Sequence, residues 1–432
     1  MEKLTLFWHR RDLRAYDNAG LHAALRNHKN VQPVFIFDTD ILDHLPKQDA
    51  RIDFIDEALQ QLNEAYQKFG AGLWVFYGNP QDIFKELTSK YNVEALYSNR
   101  DYKSYAKNRD SNIYEFLKSK NIPFIGKKDH VVFEKNEVVK GDGLPYTVFT
   151  PYSKIWKNNL SDYYFKAYPI EQYADNFNAT DAIQWDSVYD HGFIKTNHSF
   201  TAPNFDDKTI TNYKEQRDFP AKEGTTKLSV HLRFGTVSIR ECVRRAMDLE
   251  SETWLNELIW RDFYQSILFH FPHVETSCFR SKYEKVEWEK NEEHFEAWCK
   301  GKTGYPLVDA GMRELNETGF MHNRVRMVVA SFLTKHLLLD WRWGEAYFAE
   351  KLLDFDLASN NGGWQWAAGC GTDAAPYFRV FNPTSQLERF DKKKEYVKKW
   401  VPEFGTTNYP EPIVEHKFAR QRALDRYKEG LG

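Results

Sequence analysis

Apolar positions in the first 130 residues fall in short runs, with helical patterning between them. Residues 4–8 and 31–37 are β-leaning and almost wholly apolar, and LWVFYG (73–78) and ALYSN (95–99) repeat that character. Residues 50–69 carry apolar side chains at helical spacing. Strands that alternate with helices predict a parallel α/β sheet. The pattern is lost from about residue 130 to 200, where Gly141, Gly143, Pro145, Pro151 and Pro169 interrupt any long helix, so this stretch reads as a connector. From about residue 208 helical periodicity dominates and no segment alternates as a strand, which predicts an all-helical domain. The expected organisation is a Rossmann-like parallel α/β domain over residues 1–128, a long connector over 129–205 and an all-α domain over 206–432. A chain of 432 residues has room for two or three such cores.

Composition changes this picture mainly in the second half. Nine of the 13 tryptophans (Trp254, Trp260, Trp288, Trp298, Trp341, Trp343, Trp364, Trp366 and Trp400) fall in the last 183 positions. Indoles usually fill cores. Yet Trp364 and Trp366 belong to DFDLASNNGGWQWAAGCGTDAAPYFR (354–379), where acids, amides and glycines replace the aliphatics of a core helix. That mixture suits a stacking site. Here Asn361, Gly362 and Gly363 can supply a turn by themselves, leaving Asn360 for a ligand.

A net charge of −3 gives no global attraction for a polyanion, so nucleic-acid binding needs a local basic patch. RFDKKKEYVKK (389–399) and the group Arg280, Lys282 and Lys285 are candidates, although most charge runs are solvated helix faces. Cys242, Cys278, Cys299 and Cys370 are widely spaced, with no C-x-x-C and no histidine at ligand spacing; no metal is expected, and a reduced, cytoplasmic protein fits. The first residues lack an apolar signal region, and RMVVASFLTKHLLLDW (326–341) is broken by Lys335 and His336, so neither secretion nor membrane spanning is expected. The first strand leads into HRRDLRAYDN without a G-x-G-x-x-G, which argues against a dinucleotide site there.

Three further segments bring chemistry together. GTTKLSVHLRFG (224–235) sets Thr225, Thr226 and Ser229 ahead of an amphipathic helix, where hydroxyls, free N–H groups and the positive dipole end suit a phosphate. A plain N-cap is the commoner use of such a motif. In NELIWRDFY (256–264), Glu257, Trp260, Arg261 and Tyr264 recur at helical spacing and join a carboxylate, an indole and a cation on one face. In MHNRVRM (321–327), Asn323 and Met327 share a face, with Arg324 at its edge and Arg326 toward the opposite flank. Together with GYPLVDAGMRELNETGFMHNRVRM (304–327), WHRRDLRAYDNAGL (8–21) and PIVEHKFARQRAL (412–424), these segments resemble the DNA photolyase and cryptochrome family over almost the whole chain.

The resemblance implies an α/β antenna domain, a helical FAD-binding catalytic domain and specific site residues. Tyr213, Thr225, Thr226 and Ser229 match flavin contacts, the last three at its phosphates; Asp354 and Asp356 match acids facing the ribityl chain and ring, and Arg326 the arginine paired with the first of them. Asn360 matches the residue beside flavin N5. Glu257, Trp260, Asn323, Arg324, Met327 and Trp366 match the pocket that receives a cyclobutane pyrimidine dimer in bacterial-type photolyases, and Arg261, at helical spacing with Glu257 and Trp260, is expected to bind substrate with them. Trp364, Trp341 and Trp288 match the row of indoles that carries an electron to the flavin.

The implied activity is light-driven repair of such dimers in UV-damaged DNA by electron transfer from excited reduced FAD, in a monomer. A cryptochrome-like blue-light FAD receptor without repair is the alternative. The complete dimer pocket, MHNRVRM without paired histidines, G-W-Q-W rather than N-W-Q-Y and an end at Gly432 without a long tail favour repair. Folate-binding members have an Asn-Glu pair where this chain has Tyr105 and Ala106, so a folate antenna is disfavoured and a second light-harvesting pigment stays unidentified. Cys370-Gly371 stands where related enzymes often have Ser-Thr, and the sequence supplies no functional reason for it.

Overall fold

The structure, a computed structural model, describes residues 2–179 and 184–432. Its contacts divide the chain into two units, neither of them continuous in sequence. The first comprises Met1–Glu137, Asn159–Asn204 and Leu228–Asp248; the second comprises Val138–Asn158, Phe205–Lys227 and Leu249–Gly432. The stretch expected to connect two domains is thus shared out between the units, and residues 180–183 within it lie outside the described residues.

Five parallel strands form the centre of the first unit: β1 (Lys3–His9), β2 (Val31–Asp38), β3 (Trp74–Gly78), β4 (Asn92–Asn99) and β5 (Phe124–Lys127), in the order β3-β2-β1-β4-β5. Thr5 of β1 pairs with Val31 of β2 on one side and Ala95 of β4 on the other. The two-residue period of a strand sends Leu4, Leu6 and Trp8 to one face with Val34, Ile36 and Trp74, and Phe7 to the other with Phe35, Phe37 and Val75. Both faces are buried, which is why these strands read as continuous apolar runs. β5 gave no such run, because its four residues FIGK are only half-buried at a sheet edge.

The segment after β1 is consumed by structure within this unit. Asn18 caps the helix Ala19–Asn27, its side chain accepting from Leu21 N at 3.1 Å. Asp129 accepts from Arg14 at 2.5 Å and from Arg240 at 2.8 Å, while Asp17 accepts from Arg240 Nε at 2.8 Å. All four are buried, and charges so placed must be paired. Burial pushes the Asp129 carboxyl up, but the guanidiniums of Arg14 and Arg240 hold it well below the ordinary carboxylate range. HRRDLRAYDN therefore ties the segment Leu228–Asp248 to the sheet.

The described residues of the second unit form helices and loops without a strand. Its core gathers Trp298, Met312, Val325, Leu333, Trp341 and Trp364. The connector stretch, where glycines and prolines were expected to interrupt any long helix, contains an eleven-residue one, Phe149–Asn159. Pro151 is tolerated because it falls in the first turn, where backbone N–H groups have no partner inside the helix. Trp156 of this helix is buried and donates from Nε1 to Asp262 at 3.0 Å. No helix in the described residues is long and apolar enough to cross a membrane.

Candidate functional site

The helix Glu252–His270 buries Leu255, Leu258, Ile259 and Phe263, and leaves Glu257, Trp260, Arg261 and Tyr264 half-buried. Glu257 forms an ion pair through Oε1 with Arg217, whose guanidinium lies 5.4 Å from the ring centre of Tyr213. Burial pushes the Glu257 carboxyl up and Arg217 draws it down, with a net rise. Sequence reasoning missed Arg217. Its position one helical turn after Tyr213 was the available signal.

Beside this pair, Asp218 accepts from Arg324 at 2.7 Å. The Arg324 guanidinium also covers the Phe390 ring at 4.4 Å and lies 3.7 Å from Met327 Sδ. Two expected substrate residues, Arg324 and Met327, thereby touch. Asn323 is the exposed first residue of the helix Asn323–Ser331. The buried His322 caps that helix by accepting from Arg324 N at 3.2 Å, and burial lowers its pKa to about 4, so it is neutral. Nearby, Lys392, Lys393, Lys398 and Lys399 of the basic run are exposed.

Trp260 is packed among aromatic rings. Phe149 stacks on it with ring centres 3.8 Å apart and planes 1° apart, and Tyr264 tilts against it at 5.5 Å. Trp366 is half-buried with Phe381 at 6.4 Å.

Arg326 grips Asp354 with two bonds, of 3.1 and 2.9 Å, and adds a 2.7 Å bond from Nε to Met321 O. Asp356 accepts from Gln265 at 2.9 Å. Asn360 donates from Nδ2 to the backbone oxygen of Glu345 at 3.1 Å and to its carboxylate at 2.9 Å. Both amide hydrogens are thus engaged, and Oδ1 is left as an acceptor. Glu345, which the sequence did not single out, sets that orientation.

No turn forms at Asn361-Gly362-Gly363, contrary to expectation, because all three lie inside the helix Leu357–Ala368. Gly362 is required there by packing: a Cβ would sit 2.3 Å from the Tyr264 ring. Asn361 is structural, donating to Val274 O at 2.8 Å and accepting from Gln365 at 3.0 Å. Gly371 has a similar cause, since a Cβ would approach the Gln365 backbone carbon to 2.9 Å. For Cys370, which is buried beside it, no functional reason emerges.

Trp364 is buried, edge-on to Phe348 at 5.0 Å and to Trp298 at 6.0 Å. Trp341 shares its core, and the half-buried Trp288 packs against that core and meets Tyr427 edge-on at 5.8 Å. Thr225 and Thr226 are half-buried in a loop of the second unit. Ser229 belongs to the first unit as the exposed first residue of a six-residue helix, Ser229–Phe234, with Leu228 at the cap position. It is therefore in the helix rather than ahead of it, and so short a helix supports only a small dipole. In the first unit, the Tyr105 hydroxyl donates to Asp38 at 2.7 Å, and Ala106 is buried. Among the described residues no group of three His, Cys, Asp or Glu could hold a metal ion.

Buried polar atoms of the helix Glu252–His270 without a protein partner include Asn256 Oδ1 and Gln265 Oε1. Each such atom costs about 1–3 kcal/mol unless something supplies a hydrogen bond. Separately, the acceptor of Asn360 and the Arg326–Asp354 pair are groups suited to a heterocycle with a charged or hydroxylated arm.

Comparison with known proteins bears on this geometry. The profile of the FAD binding domain of DNA photolyase matches residues 254–407, and that of DNA photolyase matches residues 5–171. A deoxyribodipyrimidine photo-lyase of Synechococcus sp. is 36% identical, over 98% of this chain and 96% of its own. A bacterial class III photolyase from Agrobacterium tumefaciens superposes with a TM-score of 0.89 at 31% identity, covering 100% of this chain and 98% of that one. An archaeal photolyase from Sulfolobus tokodaii with two FAD molecules superposes with a TM-score of 0.87 at 35% identity, covering 99% and 100%.

Proposed function

The chain belongs to the DNA photolyase family, and on that footing we propose that it repairs UV-damaged DNA in light by splitting cyclobutane pyrimidine dimers. The observation that carries the reading is the row Glu257–Arg217 and Arg324–Asp218, lying with Met327 and the half-exposed Trp260 on elements of one helical unit. FAD, when bound and fully reduced, supplies an electron on excitation and takes it back once the ring has split. The residues fit that group. Arg326, Asp354 and Asp356 suit its ribityl arm and ring edge, and the Asn360 acceptor suits a protonated ring nitrogen. Tyr213, Thr225, Thr226 and Ser229 are proposed at the remaining flavin contacts.

The dimer must leave the duplex to reach the site. Base-flipping enzymes, photolyases among them, meet an unstacking cost of roughly a few kcal/mol, least for damaged bases that stack poorly. Trp260 and Trp366 flank the extruded dimer, Met327 fills apolar space beside it, and Asn323, Arg324 and Arg261 hold its polar edges or phosphates. Glu257 is assigned a hydrogen bond to a dimer carbonyl on which negative charge develops, and burial, which moves its pKa upward against the pull of Arg217, favours the protonated form that such a bond needs. Arg217 keeps that carboxyl in place through its other oxygen. Trp364, Trp341 and Trp288 serve recovery of the reduced flavin. We take the enzyme to act as a cytoplasmic monomer, with a second pigment in the α/β unit.

The test is blue-light-dependent repair of a thymine-dimer oligonucleotide by the purified, reduced protein, with a dark control and a six-four lesion in parallel. Dimer repair in light alone is the expected result. A yellow, photoreducible protein that repairs neither lesion would overturn it and indicate a blue-light receptor.

A further inference from the structure

We propose that Phe149 is a positioning residue for Trp260, holding the indole in the plane on which the extruded dimer stacks; the inference rests on the dimer-repair reading above. The two rings are parallel to within 1° with centres 3.8 Å apart. Parallel stacking is one of the arrangements aromatic pairs favour. Its fastenings can be named.

The Phe149 N–H donates to Asp373 Oδ2 at 3.2 Å, and two residues earlier Thr147 O accepts from Thr372 Oγ1 at 2.6 Å. These bonds fix the start of the helix Phe149–Asn159 to the loop that follows Trp366. Two turns on, Trp156 donates to Asp262, which lies on the same helix as Trp260. One short helix is thus fastened both to the element bearing Trp260 and to the loop beyond Trp366.

Phe149 covers one face of Trp260, while Phe263 stands edge-on to both rings, at 5.6 Å from Trp260 and 6.0 Å from Phe149. Trp260 stays partly exposed although Tyr264 also tilts against it at 5.5 Å, and that exposed part is the one assigned to the base. A ring held flat before the ligand arrives loses no rotamer freedom on binding, and preorganisation of this kind appears as affinity. The chemical step, by contrast, depends on Glu257 and the cofactor, not on Phe149.

The experiment compares the full-length, flavin-loaded protein with Phe149→Tyr, Phe149→Leu and Phe149→Ala. It reads the Kd for dimer-containing and undamaged oligonucleotides and the repair yield per absorbed photon at saturating DNA. Flavin content and melting temperature report folding. Phe149→Leu and Phe149→Ala should weaken binding of dimer DNA by roughly three- to tenfold, the usual worth of one aromatic pair. They should leave undamaged DNA affinity and the saturated yield unchanged, and Phe149→Tyr should restore wild-type binding. Wild-type affinity in Phe149→Leu would overturn the proposal, since bulk alone would then suffice. Equal weakening toward both DNAs would overturn it as a general defect, and tighter binding by Phe149→Ala would show that Phe149 occupies the slot itself. If Phe149→Ala does not fold, the contrast between Leu and Tyr decides. A wild-type protein with no preference for dimer DNA would instead refute the repair reading, whatever the variants do.

Discussion

Replacing Glu257 with glutamine removes a charge and a titratable proton while keeping the side chain's shape. Arg217 engages one carboxylate oxygen, so the amide oxygen can take its place and present the NH2 group where the second oxygen stood. The two side chains are 26% and 31% exposed, and loss of such a pair should cost no more than about 1 kcal/mol of stability. The effect on reaction should be larger. Burial raises the Glu257 pKa against the pull of Arg217, and a dimer docked on the carboxyl adds burial in the same direction. A hydrogen bond from that proton strengthens as the acceptor gains charge, to about 1.5–3 kcal/mol against about 0.5–1.5 kcal/mol for a neutral pair. The weaker N–H donor of glutamine recovers part of this, leaving a deficit of about 1 kcal/mol, or about fivefold in the rate of ring splitting against electron return without splitting. The assay is repair yield per absorbed photon with pre-reduced, DNA-saturated enzyme between about pH 5 and pH 9, upward of the ordinary glutamic acid value of about 4.3. Wild-type yield should fall as pH rises and Glu257 loses its proton, whereas the variant should be lower and flat. Equal yields, or the same pH slope in both proteins, would refute the role.

Other substitutions test separate parts of the second unit. Trp364→Phe should block photoreduction of oxidised flavin yet spare repair by pre-reduced enzyme; loss of repair in the pre-reduced protein would indicate a packing role instead. Gly344→Ala would set a Cβ 2.1 Å from the buried Trp364 ring, and should destabilise the protein by about 1–3 kcal/mol in urea unfolding. Lys335 is buried, donates to Ala368 O at 3.0 Å and lies 3.6 Å from the Tyr427 ring centre, and burial lowers its pKa from 10.5 to about 7. Between those values the unfolded chain binds the proton and the folded one does not, so stability should rise with pH across the window and bear the full cost below it. Lys335→Met should remove that slope from melting temperature measured against pH, and an unchanged slope would count against this assignment.

One pairing in the candidate site was legible because family motifs name residue pairs as well as residues. Arg326 meets Asp354 as the resemblance implied. Arg217 escaped notice because its partner Glu257 is forty residues away and no local spacing joins them. Glu345 escaped for the same reason: it orients Asn360 from a neighbouring helix. The glycines at 362 and 363 were misleading, since a glycine pair marks a turn only when nothing else needs the missing Cβ, and at Gly362 the Tyr264 ring needs it.

The sequence by itself determined the kinds of element and their order: strands with helices first, helices afterwards. Hydrogen-bond periodicity is a local property, set by the pattern of neighbouring side chains. It also determined the stock of chemical groups, down to the amide and indole cluster at residues 354–379. Only the tertiary structure decided partnership. It gave Arg240 to Asp17 and Asp129 and so drew residues 228–248 into the first unit, laid Phe149 on Trp260, and engaged the Asn360 amide nitrogen with Glu345. Such contacts depend on which distant side chains packing brings within a few ångströms, and that is settled by the whole core at once rather than by any one stretch of chain.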